Sequence, residues 1–158
     1  MNFISPEEKT EFKKQIQQSC ISLLEKRILA ASAAMREAQE SANSEEKSSA
    51  GDKYETSRAM GQLSRDMNAK QMEEAQRDLS FINALPVSSV LQTVQPGSVV
   101  VCGKNIFFIS LGLGAIEVGG QKVVLLSPGA PVARLLEEKK PGDSFLFNGN
   151  ETKITDIF

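Results

Sequence analysis

Apolar residues in the first half of the chain recur at steps of three and four: Ile21, Leu24, Ile28, Ala31, Met35, Ala38 and Ala42. That spacing lays one narrow apolar stripe along an α-helix, the seam that two paired helices share. The start of the helix is equally marked. Ser5-Pro6-Glu7-Glu8 supplies a capping serine, a proline suited to the first helical position and a glutamate that completes a capping box. A helix from Ser5 to about Asn43 is predicted, roughly 55–60 Å long at 1.5 Å per residue. The small, polar segment from Asn43 to Gly51, with Glu45 and Glu46, suits a helix end and a turn. Met60, Leu63 and Met67 then begin a returning seam, which Met72, Ala75, Leu79 and Ile82 continue after a one-residue slip in phase. Residues 1–85 therefore read as an antiparallel coiled-coil hairpin.

The seam thins from Ile and Leu near its base to Ala38 and Ala42 near the turn. At roughly 25 cal/mol per Å² of apolar surface, packing there is weak. A long, thinly cored rod with acids at its turn suits a probe that reaches toward something else. The same stripe is also the usual means by which a helix pairs with a second copy, so a homo-oligomer formed through the coiled coil stands beside the probe.

Composition changes near Leu85. Up to that point the only proline is Pro6 and the only glycines are Gly51 and Gly61, whereas residues 86–158 are rich in Gly, Pro, Val and Phe. Pro96-Gly97 and Gly103-Lys104-Asn105 bracket Ser98–Cys102, and Ile106–Ile109 follows, a pair of strands expected to form a hairpin. Ala115–Val118 and Lys122–Leu126 flank Gly119-Gly120, a second hairpin with a tight turn. Ser127-Pro128 ends it. Ala133, Leu135 and Leu136, followed by Glu137-Glu138-Lys139-Lys140, read as one short helix closed by Pro141-Gly142. Phe145–Phe147 and Ile154–Phe158 are the expected closing strands, separated by Asn148-Gly149. The fold class is α+β: a helical hairpin, then a small, mostly antiparallel β domain with one helix.

Several chemistries are excluded. With no histidine in the chain, Ser-His and Cys-His catalysis cannot operate. Cys20 and Cys102 have neither metal-ligand spacing nor a disulfide framework around them and read as buried or half-buried thiols. Gly112-x-Gly114 is too short for a nucleotide loop. A net charge of −2 gives no overall basic footprint, so any role on nucleic acid is expected to pass through a protein partner. The longest apolar candidate, Ile106–Val118, is interrupted by Ser110, Gly112, Gly114 and Glu117, and no membrane span is expected. Met1–Glu8 lacks the basic start and apolar core of a secretion signal, so a cytoplasmic location is expected.

The acids of the turn, Asp52 and Glu55 in Gly51-Asp52-Lys53-Tyr54-Glu55, admit two readings. At a spacing of three they form a capping box for the second helix, and acids are favoured there by the helix dipole. They are also a pair of carboxylates close together on one helical face, able to complete a magnesium site that another protein has half built, though not to hold the ion tightly alone. A carboxylate has lone pairs enough to do both.

Two stretches carry a resemblance to a known family. Strand, Ser127-Pro128, a short helix with Ala133 and Leu135 or Leu136, then Lys140-Pro141-Gly142-Asp143 and final strands is similar, over about forty residues, to the FKBP-like C-terminal domain of Gre-type transcript cleavage factors of bacterial RNA polymerase. In the first half, the hairpin with Gly51-Asp52-x-x-Glu55 resembles the family's acidic tip. The chain departs from the pattern just beyond: the family follows its glutamate with Asn and soon a Tyr, whereas here Thr56-Ser57-Arg58 follows and the tyrosine comes earlier, at Tyr54.

The resemblance implies an accessory factor whose C-terminal domain docks at the mouth of the polymerase's secondary channel while the hairpin reaches the catalytic magnesium. The tip acids would help to hold a second magnesium, shared with the polymerase, so that the enzyme hydrolyses its own backtracked RNA by two-metal chemistry. Asp52 would be the principal ligand, Glu55 would assist with metal or water, and Glu45 and Glu46 would tune the field. Ser127 and Pro128 match a loop near the docking surface and are the expected partner contacts, unless they serve only to end a strand. Lys53 and Arg58 would face RNA phosphate or simply solvent. Three other functions remain open: a homologue that occupies the channel without stimulating cleavage, a structural coiled-coil adaptor, and a prolyl isomerase. The last is disfavoured, because fold alone does not confer activity and the β half lacks any Tyr or Trp to floor a proline pocket.

Overall fold

The computed structural model of the chain describes residues 2–45 and 51–158, with the side chains at 45 and 51–54 outside the description. Two long helices lead, α1 over Pro6–Glu45 and α2 over Gly51–Asn83. Seven strands and one short helix follow: β1 Val99–Cys102, β2 Asn105–Ile109, β3 Gly114–Val118, β4 Gln121–Leu126, α3 Pro131–Leu136, β5 Ser144–Phe147, β6 Asn150–Lys153 and β7 Asp156–Ile157. This is the expected α+β class with an N-terminal helical hairpin. The compositional change near Leu85 coincides with the end of α2, while packing groups the residues into two compact units, Met1–Ile21 with Phe81–Phe158, and Ser22–Ser80.

In the hairpin unit the helices run antiparallel: Ala31 and Ala75 line one groove, and farther toward the turn Arg65 Nη1 donates to Gln39 Oε1. Gln39 in turn donates to Asn43 Oδ1 at 3.0 Å, an exposed polar pair that flanks the seam. On α1 the seam is as expected, with Leu24 and Ala31 buried and Ile28, Met35, Ala38 and Ala42 half-buried. On α2 it differs. Ala75 is buried and Leu79, Met72, Asn68, Arg65, Gly61 and Ser57 are half-buried, a run of three- and four-residue steps with no slip. Met60, Leu63 and Met67 are consequently 62%, 54% and 57% exposed. Once the apolar base of α2 fixes its rotational phase, an unbroken helix must present every later residue in that phase, small or polar as it is.

The start of α1, in the other unit, forms as its sequence requires. Glu8 N donates to Ser5 Oγ at 3.1 Å, and Glu8 Oε2 accepts from the amides of Ile4 and Ser5 at 2.9 and 3.2 Å. Those two backbone donors hold the Glu8 carboxyl below its ordinary pKa.

The main sheet of the same unit has the order β3-β4-β2-β1-β7. It is mixed: β2 and β4 are parallel, with Ile106 beside Val123 and Phe108 beside Leu125, and the other pairs are antiparallel. The chain leaves β2, forms β3 one place beyond, turns at Gly119-Gly120 and inserts β4 between them. Both turn glycines have positive φ, 55° and 75°, as a two-residue hairpin turn demands. Alternation along the strands buries both faces at the centre of the sheet, while the edge strand β3 is largely exposed. Val100, Cys102, Phe107, Ile109 and Ile157 pack with Ala133 and Leu136 of α3 and with Phe145. The opposite face, Val99, Val101, Ile106, Phe108, Val123 and Leu125, is also buried. The helical part of this unit contributes Phe12, Ile16, Cys20 and Ile82, all buried. It is tied to the β7 edge by an ion pair of Lys9 with Asp156 at 2.8 Å and by Phe3, whose ring lies 4.7 Å from Phe12 and 5.0 Å from Phe158.

Two expectations for the C-terminal strands need correction. Asn148-Gly149 does turn a hairpin, with φ of 51° and 78°, but the partner of β5 is β6, a separate two-stranded sheet. Ile154–Phe158 instead returns to the main sheet, where Val99 N donates to Phe158 O at 2.7 Å and Phe158 N to Val99 O at 3.0 Å. The helix α3 stops at Leu136, short of the charged run: Glu137 turns to an extended ψ of 138° and Glu138 follows with a φ of 61°, neither of which an α-helix accommodates. Its buried pair is Ala133 and Leu136, leaving Leu135 47% exposed.

Candidate functional site

Asp52 and Glu55 both fall in the first turns of α2, which is already helical at Gly51. Asp52 is thus a residue of the helix and not its N-cap, contrary to the capping-box expectation, and the two acids share neighbouring positions on a helical surface. Glu55 is exposed; the side chain of Asp52 lies outside the described set. So do the side chains of Lys53 and Glu45, and Glu46 falls within the undescribed residues. Arg58 is exposed. Among the described residues no group of three or more His, Cys, Asp or Glu side chains could hold a metal ion.

Ser127 and Pro128 form the link between β4 and α3. Ala130 N donates to Ser127 O at 3.0 Å, closing a turn that leaves Ser127 half-buried and Pro128 exposed. The Lys140–Asp143 motif is a second turn: Asp143 N donates to Lys140 O at 3.0 Å, and Asp143 Oδ2 accepts from Lys140 N at 2.8 Å. Gly142, at φ 99°, donates to Ile154 O, and Ile154 N returns a bond to Asp143 O, both at 2.8 Å. These residues fasten the turn to the start of the last strand, a structural task that needs no ligand.

The thiols are sealed. Burial pushes Cys20 up to about 11 and Cys102 up to about 12, so neither offers a thiolate near neutrality. One group escaped the sequence-based reading, the fully buried Lys13, whose Nζ donates to Ser89 O at 2.8 Å and holds the segment between α2 and β1 against α1. Burial brings its pKa down to about 8. Its only signal in the sequence is a position one step from Phe12 and three from Ile16, on the apolar side of α1. In the hairpin unit, the alanines at positions 30, 31 and 75 leave an open groove of about 500 Å³ whose rim carries Arg27 and Asp78. It is the space left by a thin seam, and its charged lining is of mixed sign, Arg27 with Glu74 and Asp78.

No helix among the described residues is long and apolar enough to cross a membrane. No family model, curated protein or solved structure matches the chain.

Proposed function

We propose that this chain is a Gre-like elongation factor that binds RNA polymerase in its secondary channel and stimulates cleavage of backtracked RNA. The observation that supports it most is one chain that joins an antiparallel hairpin, whose second helix opens with Asp52 and an exposed Glu55, to a small sheet domain. In this reading the chain has no active site of its own; it supplies carboxylates and the polymerase performs the reaction. Two carboxylates one turn apart fit part of a magnesium shell, since that ion takes one or two protein carboxylates together with water and phosphate oxygens. In this reading the rest of the shell would belong to the polymerase. The shared ion, when bound, would stabilise charge on the reacting phosphate. Asp52 would be its principal ligand and Glu55 would orient water or assist at the ion. Ser127 and Pro128 would be docking contacts of the C-terminal domain, with nascent RNA reached only indirectly.

A second reading, a homologue that occupies the channel and regulates transcription without stimulating cleavage, is favoured by Thr56-Ser57-Arg58 in place of the family's residues after the glutamate. The test is cleavage of RNA 3′ ends in halted, backtracked elongation complexes at fixed magnesium. A cleavage factor is expected to accelerate the reaction, and an Asp52→Asn, Glu55→Gln double variant to abolish the acceleration while still competing for polymerase. Competition without acceleration would leave the second reading. Neither effect would leave a coiled-coil adaptor.

A further inference from the structure

The α2 residues Met60, Leu63 and Met67 recur at steps of three and four and form one exposed apolar stripe beside the distal seam. No described residue of the hairpin unit covers it, because Ser57, Gly61, Arg65 and Asn68 occupy the half-buried positions of α2. At more than half exposure, three such side chains present roughly 350 Å², less than half of the roughly 800 Å² per partner that a stable complex buries. The stripe alone is therefore too small to hold two copies of the chain together. It is the right size for a contact made by a protein already tethered elsewhere, where high effective concentration lets a small surface count. Its flanks are mixed: Ala59 and Ser64 are uncharged, and Asp66 and Lys70 cancel. A phosphate backbone or an anionic lipid surface would call for a basic flank. Two flexible thioethers around one leucine suit an irregular apolar protein surface.

We infer that the Met60, Leu63 and Met67 stripe is a second docking surface, which takes an apolar wall of the polymerase channel once the C-terminal domain has engaged. The inference rests on the function proposed above. Helical periodicity sets position 52 on the same side of α2 as Leu63, about three turns away. A wall seated on the stripe thereby fixes the rotation of the helix and the side on which its acidic position faces.

The test compares the full chain with a Met60→Gln, Leu63→Gln, Met67→Gln variant in binding to core RNA polymerase. Helicity and thermal midpoint serve as fold controls, and a Met60→Leu, Leu63→Met, Met67→Leu variant keeps the apolar area. The polar variant is expected to bind at least about tenfold more weakly at unchanged helicity, and the apolar one to match the parent. Equal binding by parent and polar variant would overturn this inference while leaving the proposed function standing. No binding by the parent would overturn both. A dimer of the free chain that the polar variant dissolves would also overturn it, by making a second copy the occupant.

Discussion

The sheet-bearing unit and the hairpin unit are built on opposite economies of burial. In the first, both faces of the central strands β1 and β2 are dry, and Phe107, Phe108, Ile154 and Phe158 are at most 1% exposed. In the second, the buried apolar residues among those described are Leu24, Ala31 and Ala75, and nearer the turn the α1 seam is only half-buried. Hydrophobic stabilisation scales with apolar area removed from water, so the sheet unit carries most of the stability and the distal helices open first.

The sharpest way to break this contrast is truncation on each side. Phe108→Ala, in the centre of the sheet, is expected to lower stability by about 3–5 kcal/mol in chemical denaturation. Met72→Ala, at a half-buried position of the hairpin seam, is expected to lower it by about 1–2 kcal/mol. Equal losses would mean that the hairpin seam is as well packed as the sheet.

Lys13 sharpens it differently, because only the sheet-bearing unit is dry enough to perturb an ammonium. Its folded pKa of about 8 lies below the ordinary 10.5. Between these values the unfolded chain binds more protons at this site than the folded chain, so this contribution strengthens as pH rises through that window and fades as pH falls through 8. Relative to Lys13→Met, the parent should gain on the order of 2 kcal/mol between pH 8 and pH 10. Comparing the two proteins cancels the thiols, which titrate in both. Parallel stability profiles would show that Lys13 is solvated.

Gly97 tests the connection between α2 and β1. It has a φ of 94°, and an added Cβ would lie 2.7 Å from Pro86 Cδ. Gly97→Ala is expected to lower the stability of the sheet-bearing unit by about 1–3 kcal/mol, by calorimetry, through backbone strain and the displaced proline ring. An unchanged midpoint would show that the 84–98 segment yields without loss.

Much of this architecture was legible in the sequence, and the failures have physical causes. Turns at Gly119-Gly120 and Asn148-Gly149, the start at Ser5-Pro6 and the α1 seam are local signals, written in residues whose backbone or capping preferences leave little choice. The parallel β2–β4 pairing and the return of Ile157 to β1 are not local, since no residue in either strand names its partner. Leu135 and Leu136 were equivalent as letters and were separated only by which side of α3 met Phe145. At the acidic turn, a capping box and a pair on one helical face share one spacing, so the sequence leaves both readings of Asp52 and Glu55 open, and only the start of α2 at Gly51 separates them.

The α2 seam misled for a more instructive reason. Choosing the most apolar residue at each step favours Met60, Leu63 and Met67, at the expense of a one-residue slip in phase. The helix makes no slip, since realising one would require a bulge or rotation in an otherwise regular backbone, and three exposed apolar side chains are tolerated more readily than that defect. Leu63→Gln distinguishes the two arrangements with the smallest expected effect of all. If Leu63 faces solvent, the substitution should change stability by no more than about 0.5 kcal/mol in denaturation, with no loss of helicity. If the slipped seam formed in solution, the same change would place an amide between the helices and lower stability by about 1–3 kcal/mol. A near-zero result is therefore informative: it leaves Leu63 available to a partner, and it places the half-buried Met35, Ala38 and Ala42 of α1 against the unslipped face of α2.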